Sequence, residues 1–166
     1  EECKAPLIIE AIVEKIEIKI ELFEKLMAIN NGHTIFASNT SSLSINSLQQ
    51  GLPHSENIAG LHFFNPAQLM KLVEVVRGEQ TAEWVVTTLV AFCNQLKKTP
   101  VICSDAPGFI VNRVARHYYL EAMKLVEMKI ATFENVDQIM EATGFKMGPF
   151  KLMDLIGMDI NLAVSQ

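Results

Sequence analysis

Several things are scarce in this sequence of 166 residues, and each scarcity removes a class of protein. Cysteine occurs only as Cys3, Cys93 and Cys103 with no CxxC spacing, and the four histidines form no HExxH, so neither a disulfide framework nor a metal site is expected. Isolated cysteines of this kind suit a reduced cytoplasm or organelle matrix. No run of about 18 uncharged apolar residues occurs, so no membrane partner is expected. Positive charge is thin: 14 Lys and Arg against 19 Asp and Glu leave a formal charge of −5. Without a basic cluster there is no phosphate footprint and no expected nucleic-acid partner, and Lys97-Lys98 reads as the basic end of a helix. None of the eight glycines falls in a GxGxxG arrangement, so a loop that cradles a pyrophosphate on a helix N-terminus is not within these residues. The opening Glu1-Glu2-Cys3-Lys4 does not look like a signal peptide, and a start at Glu leads us to expect a piece of a longer protein.

Apolar order is what the chain does have. Hydrophobic residues make up 49% of it, enough for one substantial core or two small ones. Leu7 to Val13, after Pro6, predicts a fully buried strand of a parallel sheet with Glu14 at its C-terminal end. Ligands bind at the carboxyl ends of strands in open α/β sheets, which makes Glu14 a site candidate; a helix-entry glutamate complementing the macrodipole is the alternative. Residues 15–31 alternate like a strand at Ile16, Ile18, Ile20 and Leu22, yet Ile16, Ile20, Phe23 and Met27 follow a helical face. Length, the i,i+4 pair Glu21–Lys25 and the stop Asn30-Asn31-Gly32 decide for helix, with Ile18 left exposed.

Thr34 to Asn39 predicts the next strand, which runs into the polar burst Ser38-Asn39-Thr40-Ser41-Ser42. Those hydroxyls suit either a ligand-lined loop or the N-cap of a short helix from Ile45 to Gln50, before a surface turn at Gly51 to His54. Thr81 is expected to cap a long helix that packs through Trp84, Val85, Thr88, Leu89, Phe92 and Leu96, and Thr99 to Cys103 predicts a last strand. Strand alternating with helix means an α/β domain with a largely parallel sheet. Ser104 to Gly108 marks a boundary, beyond which only helices are expected, roughly over 109–129, over 135–143 and from 150 onward. The expected fold class is α/β followed by all-α, divided into residues 1–105 and 106–166. Asn112 falls in the first turns of the first of those helices, where it could face a cleft between domains.

The most informative stretch lies between these parts. Ile58 to Phe64 is β-branched and aromatic, Asn65-Pro66 punctuates it, and Leu72 to Val76 is a second apolar run with Glu74 at its centre. A buried carboxylate is costly unless paired, and His62 on the preceding strand is the nearest candidate in sequence. An imidazole held by a carboxylate makes a good general base. A structural His and an edge-strand Glu facing water would carry the same letters.

The string Gly60-Leu-His-Phe-Phe-Asn-Pro66, with Phe36-Ala-Ser-Asn-Thr-Ser-Ser42 before it and Pro107-Gly-Phe-Ile-Val-Asn-Arg113 after it, resembles the L-3-hydroxyacyl-CoA dehydrogenase family. The likeness runs from about Leu7 to the C-terminus and includes Gly148-Pro149-Phe150-Lys151-Leu152 and Asp154. The resemblance implies the second half of a Rossmann-like NAD-binding domain, followed by an incomplete helical domain for the substrate cleft and dimerisation. It implies oxidation of the 3-hydroxyl of an acyl-CoA by NAD, with His62 as general base and Glu74 orienting it. It also implies that Ser41 and Asn112 hydrogen-bond the reacting oxygen near His62, that Glu14, Lys19, Ser41 and Asn65 contact the nicotinamide half of NAD, and that the protein is a homodimer in the cytoplasm or an organelle matrix. Two other classes stay open at this point: a non-catalytic, crystallin-like relative, and a hydrolase with Ser41, His62 and Glu74 as a triad. The hydrolase has no GxSxG elbow around Ser41.

Overall fold

Period-two alternation gives each strand two sides, and in the computed structural model, which describes residues 3–158 and 162, helices cover both faces of the sheet while its last strand stays largely open to water. Strands β1 (Leu7–Glu10), β2 (Ile35–Ser38), β3 (Ile58–Phe63), β4 (Leu72–Arg77) and β5 (Thr99–Ser104) form one sheet in that order. β1, β2 and β3 run parallel, β4 is antiparallel to β3, and β5 is parallel to β4. One face carries Ile8, Phe36, Ile58 and Val76 against Phe23 and Met27 of α1 (Ile16–Ile29) and Ile45 and Leu48 of α2 (Ile45–Gln49). The other carries Ile35, Ala37, Ala59, Leu61, Val73 and Val75 against Val85, Val86, Leu89 and Cys93 of α3 (Glu83–Gln95). Each Val, Leu, Ile, Phe or Met among them contributes about 1.5–3 kcal/mol when withdrawn from water, so the two faces supply most of the cohesion.

Several expectations need correction. β1 ends at Glu10 rather than Val13, because the Glu10 carboxylate itself accepts the Ile12 N–H at 2.6 Å and turns the chain out of the sheet. Nor is β1 buried throughout: it pairs with β2 alone among the described residues, and Ile9 is exposed. Thr81 does not cap α3, whose N-cap is Ala82. Its hydroxyl donates to the Ile58 carbonyl at 2.7 Å and accepts from the buried Gln49 side chain at 3.0 Å, tying α2 to β3. With the helix so anchored, Trp84 and Leu96 face outward and the adjacent Val85 and Val86 take the core. Lys98 lies beyond the end of α3, and its ammonium donates to the carbonyls of Ala67 and Met70 at 2.5 and 2.8 Å, pinning the connection between β3 and β4. Ile18 is exposed and Glu21–Lys25 pair at 2.5 Å, both as expected.

The chain separates into two compact units between Phe109 and Ile110. The second contains α4 (Val111–Glu127), α5 (Phe133–Ala142) and α6 (Pro149–Ile156). Thr132 caps α5, accepting from the Asn135 N–H at 3.2 Å. The buried Asp137 of α5 accepts the N–H groups of Phe150 and Lys151 at 2.9 and 3.1 Å, which satisfies the otherwise bare N-terminus of α6. Tyr118 of α4 stacks on Phe145, centroids 4.9 Å apart, and donates to the Met147 carbonyl at 2.9 Å.

Candidate active site

Because β3 and β4 are antiparallel, their side chains meet in opposed pairs, and the register sets His62 directly opposite Glu74. Both fall on the side of the sheet shared by Gly60 and Val76, where Gly60 is required: a Cβ there would lie 2.7 Å from that of Val76. His62 Nδ1 stands 2.7 Å from Glu74 Oε2, with both side chains almost wholly withdrawn from water. An ionised Glu74 fixes the proton on Nδ1, which donates to it, and leaves Nε2 as the basic nitrogen. Nε2 makes no hydrogen bond among the described residues. Phe64 and Phe109 flank the imidazole at 4.5 and 5.8 Å between ring centroids, so the ring is held in an apolar slot with one polar anchor.

The parallel strands β1, β2 and β3 bring their carboxyl ends to the same edge of the sheet, and a second polar group gathers there. Lys19 of α1 is fully buried, its ammonium 2.6 Å from Glu10 Oε1 and 3.3 Å from Glu14 Oε2. Glu10 Oε2 accepts from the Ser38 hydroxyl at 2.7 Å. Glu14 turns its other oxygen to the loop after β2, where Oε1 accepts from the Thr40 hydroxyl at 2.5 Å and the N–H groups of Ser41 and Ser42 at 3.0 and 3.2 Å. Partial burial alone would raise the Glu14 pKa, but the Thr40 hydroxyl, the Lys19 ammonium and the Ser41 N–H together hold it below the usual carboxylate range. Asn39 joins this loop to the histidine strand, accepting the Phe63 N–H through its side-chain oxygen at 2.8 Å.

Of the residues singled out from the sequence, His62 and Glu74 are thus paired, and Glu14 and Lys19 are paired with each other and with the loop that holds Ser41. Glu14 follows β1 after a short gap rather than ending it, and immediately precedes the N-cap of α1, Lys15. The Ser38–Ser42 burst does not cap α2; Ser44 does, accepting from the Ser47 N–H at 3.1 Å. Asn65 is exposed at the start of the β3–β4 connection, and Asn112 is the second residue of α4, in the other compact unit. Sequence reasoning passed over Glu10, although a lone carboxylate in an apolar run is the same signal that picked out Glu74. It also passed over Asn39 and Phe109, which had no comparable signal. The Cys103 thiol is pushed up to about 11 by burial and by the nearby charges of Glu74 and Asp105, so it is protonated and unreactive at neutral pH. No group of His, Cys, Asp or Glu able to hold a metal ion occurs among the described residues, and no helix among them is long and apolar enough to cross a membrane.

Comparison with known proteins places this geometry in context. Residues 1–106 match the family model for the 3-hydroxyacyl-CoA dehydrogenase NAD binding domain, and residues 108–166 that for the 3-hydroxyacyl-CoA dehydrogenase C-terminal domain. The chain is 49% identical over 154 residues to the mitochondrial hydroxyacyl-coenzyme A dehydrogenase of Sus scrofa, covering 92% of this chain and 49% of the relative. It is 48% identical over 162 residues to the 3-hydroxyadipyl-CoA dehydrogenase of Escherichia coli (strain K12), covering 97% and 34%. The crystal structure of 3-hydroxybutyryl-CoA dehydrogenase from Escherichia coli K12 superposes with a TM-score of 0.94 at 48% identity, over 96% of this chain and 34% of that one. The chain therefore spans half or less of the length of these relatives.

Proposed function

The chain belongs to the 3-hydroxyacyl-CoA dehydrogenase family, and from that premise we propose that it carries the proton-transfer half of an NAD-dependent enzyme interconverting (S)-3-hydroxyacyl-CoA and 3-oxoacyl-CoA. The buried His62–Glu74 pair at the carboxyl end of β3 carries the reading. In the oxidative direction Nε2 of His62 accepts the proton of the substrate 3-hydroxyl, and the imidazolium so formed is stabilised by Glu74 across 2.7 Å. In the reverse direction the same nitrogen returns the proton to the ketone oxygen. Ser41 and Asn112 hydrogen-bond that oxygen and stabilise the charge developing on it. Replacing either with Ala costs roughly 1–3 kcal/mol in kcat/KM, the usual consequence of an unmet polar partner.

NAD, when bound, supplies the hydride acceptor. The groups at the sheet edge suit its nicotinamide ribose: a solvent-accessible carboxylate at Glu14, hydroxyls on the following loop and an exposed amide at Asn65 are partners for sugar hydroxyls and a carboxamide. They do not suit a pyrophosphate, since the Lys19 ammonium is already engaged by Glu10 and Glu14. Lys19, with no exposed surface, contributes from beneath by fixing Glu14 rather than by direct contact. The reading extends to a homodimer through the helical unit, supported by the exposed Val114, Met128, Ile139 and Leu155, and to a cytoplasmic or matrix location.

The serine-hydrolase alternative loses ground because, among the described residues, no serine hydroxyl is hydrogen-bonded to His62, the bond a nucleophile and its base require. Oxidation of NADH dependent on acetoacetyl-CoA, followed in the full-length protein, tests the proposal. Turnover falling about 10²- to 10⁴-fold in His62→Gln is the expected result. No oxidation with any acyl-CoA would overturn it.

A further inference from the structure

Glu10 has no part in the chemistry above, yet it is a carboxylate 3% exposed inside an apolar strand. The structure assigns it as a positioning residue: Glu10 anchors Lys19, Lys19 anchors Glu14, and Glu14 holds the loop that carries Ser41. Each of its oxygens has a defined partner. Oε1 accepts from Lys19 Nζ and from the Ile12 N–H, both at 2.6 Å, and Oε2 accepts from the Ser38 hydroxyl at 2.7 Å. This fixes the ammonium at the bottom of the group, with the Ile12 carbonyl as a further, longer acceptor at 3.5 Å.

The division of Glu14 is what makes the relay directional. Its Oε2 faces Lys19 at 3.3 Å, while Oε1 alone takes the Thr40 hydroxyl, the Ser41 and Ser42 N–H groups and the Ser42 hydroxyl. With Glu10 present, Lys19 needs only a partial claim on Glu14, and Glu14 stays high enough to serve the loop. Without the Glu10 charge, Glu14 becomes the sole carboxylate counterion of a fully buried ammonium, and desolvation draws it down onto Lys19. The loop then loses the acceptor that orders residues 40–42, and it loses it as well where Lys19 is also removed, because Glu14 Oε2 is then left with no anchor.

The part of the proposal that concerns turnover rests on the dehydrogenase reading; the part that concerns loop order stands without it. Two variants of the full-length protein test both: Glu10→Gln, which keeps volume, and Glu10→Gln/Lys19→Met, which also removes the stranded ammonium. Hydrogen exchange is followed in the peptide spanning residues 39–44 and in β3 and β4, alongside KM for NAD and kcat. In both variants exchange at Ser41 and Ser42 should accelerate on the order of tenfold with β3 and β4 unchanged, and KM for NAD should rise more than kcat falls. Unchanged loop exchange in either variant overturns the relay. So does acceleration spread evenly over the sheet, or a double variant restored to wild-type loop protection, since both mark Glu10 as mere compensation for a buried charge. Faster loop exchange in a protein whose wild type turns over no acyl-CoA would leave the relay standing and remove the dehydrogenase reading instead.

Discussion

Glu74 can sit in the middle of an apolar strand because one histidine faces it at hydrogen-bond distance. Glu74→Gln keeps that volume and a carbonyl oxygen for the Nδ1–H but removes the charge that stabilises the imidazolium. We expect kcat in the full-length protein to fall about 10²-fold or more with circular dichroism unchanged; equal turnover in the two proteins would make Glu74 a purely structural residue. Glu14 makes a different kind of prediction. Its folded pKa lies below the unfolded value of 4.5, so its contribution to stability is fully present above that value and is lost as the pH falls through the depressed one. Melting temperatures taken from neutrality down to about pH 3 should therefore decline less steeply in Glu14→Gln than in the wild type. Parallel curves would show that the loop contacts do not favour the ionised form. At this scale the sequence was legible where a lone charge interrupted an apolar run, as at Glu74. It was opaque where a common residue acquires its role only through folding, as when Asn39 meets Phe63 or Phe109 meets His62.

The β3–β4 pair is the element on which the site depends, since a slip of one residue would send His62 and Glu74 to opposite faces. Gly60 guards that register. An alanine there would press on Val76 at 2.7 Å and on Ile45 at 3.1 Å, and with backbone on one side and core on the other neither can retreat far. Gly60→Ala should destabilise the fold by about 1–3 kcal/mol and lower turnover as well, because β3 must shift against β4. Denaturant unfolding and kinetics together check this; a stable variant with reduced turnover would mean the strands moved without loss of packing. Element types were readable from periodicity, as in the choice of helix for residues 16–29. Their ends were not, because they are set by side chains that compete for backbone groups: Glu10 takes the Ile12 N–H and stops β1, and Thr81 turns to Ile58 and leaves the capping position to Ala82.

For the molecule as a whole, the sheet edge at β1 is the exposed liability. Among the described residues β1 pairs on one side only, and the neighbouring Ile9, Ile12 and Val13 are exposed. Unpaired N–H and C=O groups beside apolar surface template strand addition. The 166-residue chain by itself should therefore self-associate, and without a glycine loop among its residues it should bind NAD weakly. Light scattering and calorimetry decide this; a clean monomer with micromolar affinity for NAD would refute it. The division into a sheet unit and a helical unit was legible in the disappearance of strand patterns after Ser104, although the compact units part a few residues later, after Phe109.

The antiparallel placement of β4 also bears on the order in which the chain assembles. His62 and Glu74 are 12 residues apart, whereas the Ser44–Asp105 bond that fastens the start of α2 to the end of β5 spans 61. Closing the longer loop costs about 1.4 kcal/mol more in chain entropy. The His62–Glu74 pair therefore belongs to one of the most local pieces of the sheet, and a nascent chain can bring it together before the more distant strands have arrived.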